Sequence, residues 1–289
     1  GGMSNAFTWF DGTAYFATLP AAQADLMYRI EADRMANSRL DPEIVETERT
    51  VILAERDQYE NYPEWRLAEN VIEAAFQVHP YGHETIGLRE DLERMTRDEL
   101  HGFCRSYYTP QNAVAVAVGN FDPDALLGRI EELFGGIPAG PDSSPVTVAE
   151  PEPEPAGERR VVVEGPGATR YLQAAYRAVD SRDEDFVPAL LMATILGGPI
   201  GLGLGGDGES RSSRLYRALV ETEIALDVDC SLEATIDPYL LDISAVAWQG
   251  RAHEEVEDAV DNVLEGMVRK PVSDDELAAA RKQATASYG

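Results

Sequence analysis

Positive charge is what this sequence has least of. Against 52 Asp and Glu it sets 24 Lys and Arg, a formal charge of −28 with an isoelectric point near 4.4. Only Lys270 and Lys282 are lysines. A field of that sign repels phosphate backbones and anionic lipid, so nucleic-acid binding and membrane-surface docking are set aside. Long apolar runs are missing as well, and none approaches the ~18 to 20 residues of a membrane span. Cysteine is scarce: Cys104 and Cys230 stand far apart in apolar surroundings, which reads as two buried free thiols rather than a disulfide framework. What remains is 44% apolar and 26% charged, the balance of a globular chain that can bury cores. Its 289 residues suit two domains at ~150 residues each.

The seam between them is Pro138 to Gly157, where Pro, Gly, Ser and Glu dominate and Glu150 to Pro155 alternates acid with proline. Such a stretch favours extended spacer geometry. The reading is therefore a first domain over 1–138, a linker over 139–157 and a second domain over 158–289. In the first, Asn5 to Thr8 and Thr13 to Thr18 predict a hairpin across Asp11-Gly12. Helices follow over Ala21 to Asn37, from Pro42 to about Tyr59, and over Glu64 to Ala75. Thr96 and Glu99 form a capping box, Ala113 to Gly119 reads as a buried strand, and Pro123 to Phe134 as an amphipathic helix. The second domain predicts strands at Arg160 to Glu164 and Arg170 to Arg177. A helix over Phe186 to Leu196, a glycine-rich stretch over Gly197 to Gly208 and a helix over Ser212 to Glu221 come next. A hairpin (Ala225 to Glu233, Tyr239 to Trp248), a helix over Glu254 to Val268 and a last helix capped by Ser273 and Glu276 complete it.

The halves echo each other. An offset of 232 sets Arg49 against Arg281, Asp41 against Ser273 and Met35 against Met267 without a gap. The fold class that follows is α+β: two homologous domains, each a mostly antiparallel sheet with helices packed on one face. The same offset puts Ala280 opposite Glu48 and Ser287 opposite Glu55, so only the first half keeps those acids.

Glu48 and Glu55 project from nearly one helix face, two turns or about 10 Å apart. The run between them is apolar after Thr50, which predicts a well-buried helix. A carboxylate there needs a cation, hydrogen bonds or a metal; two solvated surface acids would satisfy the spacing equally. His79 and His83 are four apart, but Pro80 and Gly82 between them break any shared helical face. His101 and His253 read as ordinary helix residues. Gly201, Gly203 and Gly206 fit a dinucleotide fingerprint formally, but no strand precedes them and Asp207 and Glu209 would repel a pyrophosphate.

Several segments, in order, resemble the pitrilysin/insulinase-type zinc metallopeptidases, the inverzincins with an H-x-x-E-H motif. They are Asn5-Ala6-Phe7-Thr8 with the hairpin after it, Glu31 to Met35 (E-x-x-R-M), and Glu48-Arg49 with Val51 and Glu55. His79-Pro80-Tyr81-Gly82, Tyr107-Tyr108-x-Pro110-x-Asn112-Ala113, Gly119-Asn120 and Ser213-Arg214-Leu215-Tyr216 continue the pattern. The resemblance implies a zinc-dependent metalloendopeptidase subunit that hydrolyses peptides or small proteins. It makes Glu55 the third zinc ligand and Glu48 a supporting acid. Asn5, Ala6 and Phe7 become the edge strand on which a peptide substrate adds as another strand. The two histidine ligands and the glutamate base would lie in a motif roughly twenty or more residues before Gly1. On that reading the chain is a piece of a longer protein that binds zinc poorly by itself, because one carboxylate cannot close a tetrahedral site. The chain departs from the pattern after the S-R-L helix, where an arginine and a tyrosine are expected and Val220 stands at the arginine position. That resembles the catalytic subunits of two-component members, whose homologous partner supplies the pair. The alternative is a non-catalytic homologous subunit forming half of a chamber; an acidic scaffold without zinc would leave the Glu48–Glu55 pairing accidental.

Overall fold

In a computed structural model of the chain, residues 2–140, 152–199 and 211–287 are described. Strands β1 (Met3–Trp9) and β2 (Gly12–Thr18) pair antiparallel, Met3 opposite Thr18 and Trp9 opposite Gly12. Helices α1 (Ala24–Asn37), α2 (Pro42–Tyr59) and α3 (Pro63–Ala75) follow. The last two open on proline, where the missing N–H costs nothing. A 3-10 turn at Pro80–Gly82 precedes α4 (Arg89–Arg94), α5 (Arg97–Tyr107) and α6 (Pro123–Phe134). The second half contains β3 (Tyr171–Arg177), α7 (Phe186–Leu196), a π-helical turn at Tyr216–Val220, β4 (Ala225–Leu232) and β5 (Leu240–Ala247). Helices α8 (His253–Arg269) and α9 (Asp274–Ser287) close it. Both predicted capping boxes form. Thr96 Oγ1 accepts from Glu99 N–H while Glu99 accepts from Thr96 N–H, and Ser273 and Glu276 do the same.

These elements fall into two compact units, Gly1–Gln58 with Thr85–Pro151 and Tyr59–Glu84 with Glu152–Gly289. In the first, α1 packs on α6, and Arg129 of α6 holds Asp25 of α1 at 2.6 Å. Its core is thin. The helix α2 buries only Val45 and Arg56 along its length, so the expectation of a well-buried helix is corrected. The apolar residues between Glu48 and Glu55 are partly exposed, because hydrophobic composition states what a helix could bury and not whether a cover is at hand. The predicted buried strand at Ala113 to Gly119 is corrected for the same reason. Residues 113–118 join no sheet, and Val114, Val116 and Val118 are 92%, 82% and 94% exposed.

The second unit has the larger core. Its sheet runs β3-β5-β4, antiparallel throughout, with Tyr171 opposite Val246 and a register shift between Ala225 and Asp227. Strand alternation places Val228, Cys230, Leu232, Leu241, Ile243 and Ala245 in one cluster with Leu190 and Leu196 of α7, Leu215, Leu219, and Val256 and Val260 of α8. Burial pushes the Cys230 thiol up and, less deeply, that of Cys104; both are free, Cys104 only half-buried. Asp229, Ser231, Asp242 and Ser244 occupy alternate positions between the clustered strand residues. Asp242 accepts from Gln173 at 2.6 Å, and burial, reinforced by the Asp229 charge, pushes its carboxyl up to about 6. The helix α3 packs on β3. Beyond its end, Glu152 accepts from the N–H groups of Gln77, Val78 and His79 at 2.7–3.0 Å, with Arg177 3.7 Å away. Arg160 to Glu164, predicted as a strand, runs outside the sheet. The helix predicted over Ser212 to Glu221 contracts to a short turn ending in the π segment. Most of the glycine-rich stretch lies outside the described residues.

Arg214 of the Ser-Arg-Leu-Tyr motif grips Glu276 with Nε and a terminal nitrogen at 2.8 and 3.0 Å. That grip, with the capping bonds of Ser273, holds the Glu276 carboxyl at about 2. A folded value below the unfolded one, about 4.3, contributes stability above the unfolded value that is lost as pH falls through the folded one. Glu276→Gln is therefore expected to flatten the acid limb of stability between roughly pH 4.5 and 2. Urea unfolding at stepped pH checks this; an acid limb identical in the variant would refute it.

Candidate active site

Glu48 and Glu55 both lie on the outward side of α2 and are exposed. What orients them is a neighbouring face of the helix, about 100° around from the acids. Arg49 donates to the carbonyls of Leu92 and Met95, the latter at 2.5 Å, and to Glu46 at 3.1 Å. Seven residues on, buried Arg56 donates to the Gly87 carbonyl at 2.8 Å. Arg89 of the same connecting segment pairs with Asp57. Two guanidinium groups on one face thus tie α2 to Gly87–Met95, and each follows directly after an outward acid. Reading the sequence for acids alone misses these anchors; the repeated Glu-Arg step at 48–49 and 55–56 is the signal that carries them. A guanidinium fixed on carbonyls sets the rotation of a helix more tightly than a few apolar contacts do.

Ile44, Glu48, Val51 and Glu55 recur at i, i+4, i+7 and i+11 and form one stripe. Among the described residues no group of three His, Cys, Asp or Glu stands close enough to hold a metal ion. The described residues therefore do not make a complete zinc site by themselves. His79 is a turn residue. Its Nδ1 accepts from Tyr81 N–H at 3.1 Å and its Nε2 sits 3.4 Å from Asp237, while His83 lies beside the Glu84 carbonyl. The ring of His79 is locked into the Phe76–Tyr81–Tyr239 cluster.

Asn5, Ala6 and Phe7 lie in β1, exposed along its whole length. Their partners are Phe16, Tyr15 and Ala14 of β2, and β1 has no second strand neighbour among the described residues. Asn5 Oδ1 accepts from the Ala6 N–H at 2.9 Å, and Phe7 meets Trp9 and Phe16 at 5.5 and 6.1 Å between ring centres. Behind the hairpin, the Tyr15 hydroxyl donates to that of Tyr108 at 3.1 Å, and Arg34 stacks on the Tyr15 ring. Burial and the Tyr108 contact push the Tyr15 phenol up. Val220, where the family pattern expects arginine, packs against the apolar cluster of the second unit. No helix among the described residues is long and apolar enough to cross a membrane.

Residues 1–88 match the insulinase (peptidase family M16) domain and residues 94–284 the peptidase M16 inactive domain. Among relatives, an uncharacterized zinc protease of Mycobacterium leprae is 28% identical over 97% of this chain and 61% of its own length. The mitochondrial-processing peptidase subunit beta of Neurospora crassa is 28% identical over 68% of this chain and 42% of its own. A protease from Helicobacter pylori shares the fold at a TM-score of 0.91 and 23% identity, over 100% of this chain and 68% of that one. A peptidase M16 inactive domain from Pseudomonas fluorescens does so at 0.81 and 17%, over 98% and 66%. The chain spans about three fifths of the length of the mycobacterial relatives (61–62%). With both of its halves matched in order, the chain belongs to the insulinase, or peptidase M16, family.

Proposed function

We propose that the chain is part of a zinc-dependent metalloendopeptidase subunit acting on peptides or small proteins. The observation that carries this is the pair of acids on the outward side of a helix whose adjacent face is anchored by Arg49 and Arg56. Glu55 is the one zinc donor this chain contributes, and Glu48 supports it. Asn5, Ala6 and Phe7 align an extended peptide against the outer edge of β1, where backbone pairing gives affinity without strict sequence choice. Zinc would supply Lewis-acid activation of water; this chain's own share is a ligand and a substrate strand. A homologous partner subunit fits the apolar packing of Val220, since the position cannot offer a cation to substrate. The "subunit beta" in the name of the Neurospora relative is in keeping with such a division of labour.

The test uses the full-length protein. Glu55→Gln is expected to cut bound zinc per chain at least roughly tenfold with helix content unchanged. Glu48→Gln is expected to keep the zinc and slow peptide cleavage. Wild-type zinc content in Glu55→Gln would end the assignment. A wild-type protein without zinc would instead favour the non-catalytic subunit, a reading to which the inactive-domain match over 94–284 lends weight.

A further inference from the structure

Just past α3 the chain bends at residues 77–79, and three successive backbone N–H groups turn to one side. Convergent N–H groups of this kind make a concavity for an anion. What fills it is a carboxylate of the same chain. Glu152 takes the Gln77 N–H on Oε1 at 2.7 Å, and those of Val78 and His79 on Oε2 at 3.0 and 2.9 Å. Both oxygens are used, and the side chain is 6% exposed. Glu154, two residues on, is exposed.

The place is unfavourable for an anion without help. It follows the C-terminal end of a helix, where the last carbonyls carry partial negative charge, in a chain of formal charge −28. Arg177, the last residue of β3, offsets both. Its guanidinium donates to the Ala75 carbonyl at 3.2 Å, lies 4.7 Å over the Phe76 ring and stands 3.7 Å from Glu152. Burial opposes the Glu152 charge, but the three donors and Arg177 outweigh it and hold the carboxyl below its ordinary value. The donors come from the end of α3 and from β3, two elements that pack on each other. Their arrangement therefore does not depend on the segment that brings in Glu152.

We propose that the Gln77–His79 backbone and Arg177 form a receptor for a carboxylate, and that Glu152 is its tethered ligand. All of its parts belong to the second unit. Pro153 and Pro155 restrict the backbone that carries Glu152, so docking it costs less entropy. From there the chain runs beside α3. Arg159 donates to the Ala74 carbonyl near the end of the helix, and the Glu164 carbonyl accepts from Arg66, near its start, at 3.2 Å. Docking Glu152 thus fixes where this strap begins and ties down one side of α3. The receptor stands whether or not Glu55 holds a metal.

Amide hydrogen exchange at residues 77–79 tests it. Glu150 and Glu154 stand two residues to either side of Glu152 and would compete for its place, so two variants of the chain are compared. One carries Glu150→Ala and Glu154→Ala and keeps Glu152; the other carries Glu152→Ala as well. Exchange of the Gln77, Val78 and His79 amides is expected to be at least roughly tenfold faster in the triple variant. Sodium acetate at about 0.1 M, well above the millimolar effective concentration of a short tether, is expected to bring most of that protection back. Sodium chloride at the same strength is expected not to. A chain of this charge draws no carboxylate to its surface at large, so the recovery reports the local donors. Glu152→Gln, which keeps the side-chain volume, replaces Glu152→Ala should the triple variant fold poorly. Equal exchange in the two variants would overturn the proposal. So would a loss of protection that acetate leaves as it is, or that chloride reverses equally.

Discussion

Leu215→Ala is expected to lower the stability of the second unit by about 3 kcal/mol, within the 2–5 kcal/mol usual for a buried leucine cut to alanine. Leu215 is fully excluded from solvent and belongs to the cluster that also takes in Leu196, Leu219, Ile243 and Val256. The lost methyl and methylene groups forfeit their transfer energy, and the void adds to the cost because its walls cannot move in. On one side they are strands locked in register across β3, β5 and β4. On the other, the turn is held by the bond from Ile224 N–H to the Leu219 carbonyl and by the Arg214–Glu276 grip. Trp248, whose N–H donates to the Ile224 carbonyl, reports on this unit. Urea unfolding followed through its fluorescence, with Trp9 and Trp65 replaced by phenylalanine, gives the change directly. A loss below about 1 kcal/mol would mean that the site collapses freely and that the core is looser than its burial suggests.

Arg56→Met should cost about 2 kcal/mol, in the 1.5–3 kcal/mol range of hydrogen bonds made by charged groups, and its effect should be local. Methionine keeps much of the volume and flexibility but donates nothing, so the Gly87 carbonyl loses its 2.8 Å partner. The segment from Gly87 to Met95 should then open more often. At 1.4 kcal/mol per tenfold, amide exchange there speeds up roughly thirtyfold. Adding Arg49→Met frees the Leu92 and Met95 carbonyls too, and the two changes should not add independently because both release one segment. Unchanged exchange over 88–95 in the double variant would show that the arginines do not hold α2 in place.

How much of this was legible beforehand differs by element, and the difference has one physical origin. Signals that act within a few residues came through. The predicted hairpin forms, though its turn falls at Phe10-Asp11 and Gly12 already belongs to β2; Pro42 starts α2, and the boxes at Thr96–Glu99 and Ser273–Glu276 cap their helices. The duplication held as well, down to the 232-residue spacing of the helix ends. The misread elements are those whose partners are not sequence neighbours. The run from Ala113 to Val118 has the composition of a strand apolar on both faces, yet a strand exists only where another pairs with it. Val162 and the apolar side of α2 tell the same story. For the candidate site, the positions of Glu48 and Glu55 on one helix face could be read from their spacing, whereas Arg49 and Arg56 could not, because their acceptors are backbone carbonyls some thirty to forty-six residues away. Glu152 was hidden likewise, inside a stretch whose composition says spacer.

The assignment of Tyr59–Glu84 to the second unit, while its neighbours in sequence on both sides belong to the first, bears on how the chain is made. Helix α3 is complete once Ala75 has left the ribosome, but the strand it packs against begins only at Tyr171. At roughly 5–20 residues per second the interval is about five to twenty seconds. Through that time Ile72, Phe76 and Tyr81, all buried in the finished protein, have no surface to rest on. The nascent polypeptide thus displays a greasy, aromatic strip midway through translation, a stage at which a chaperone would find it.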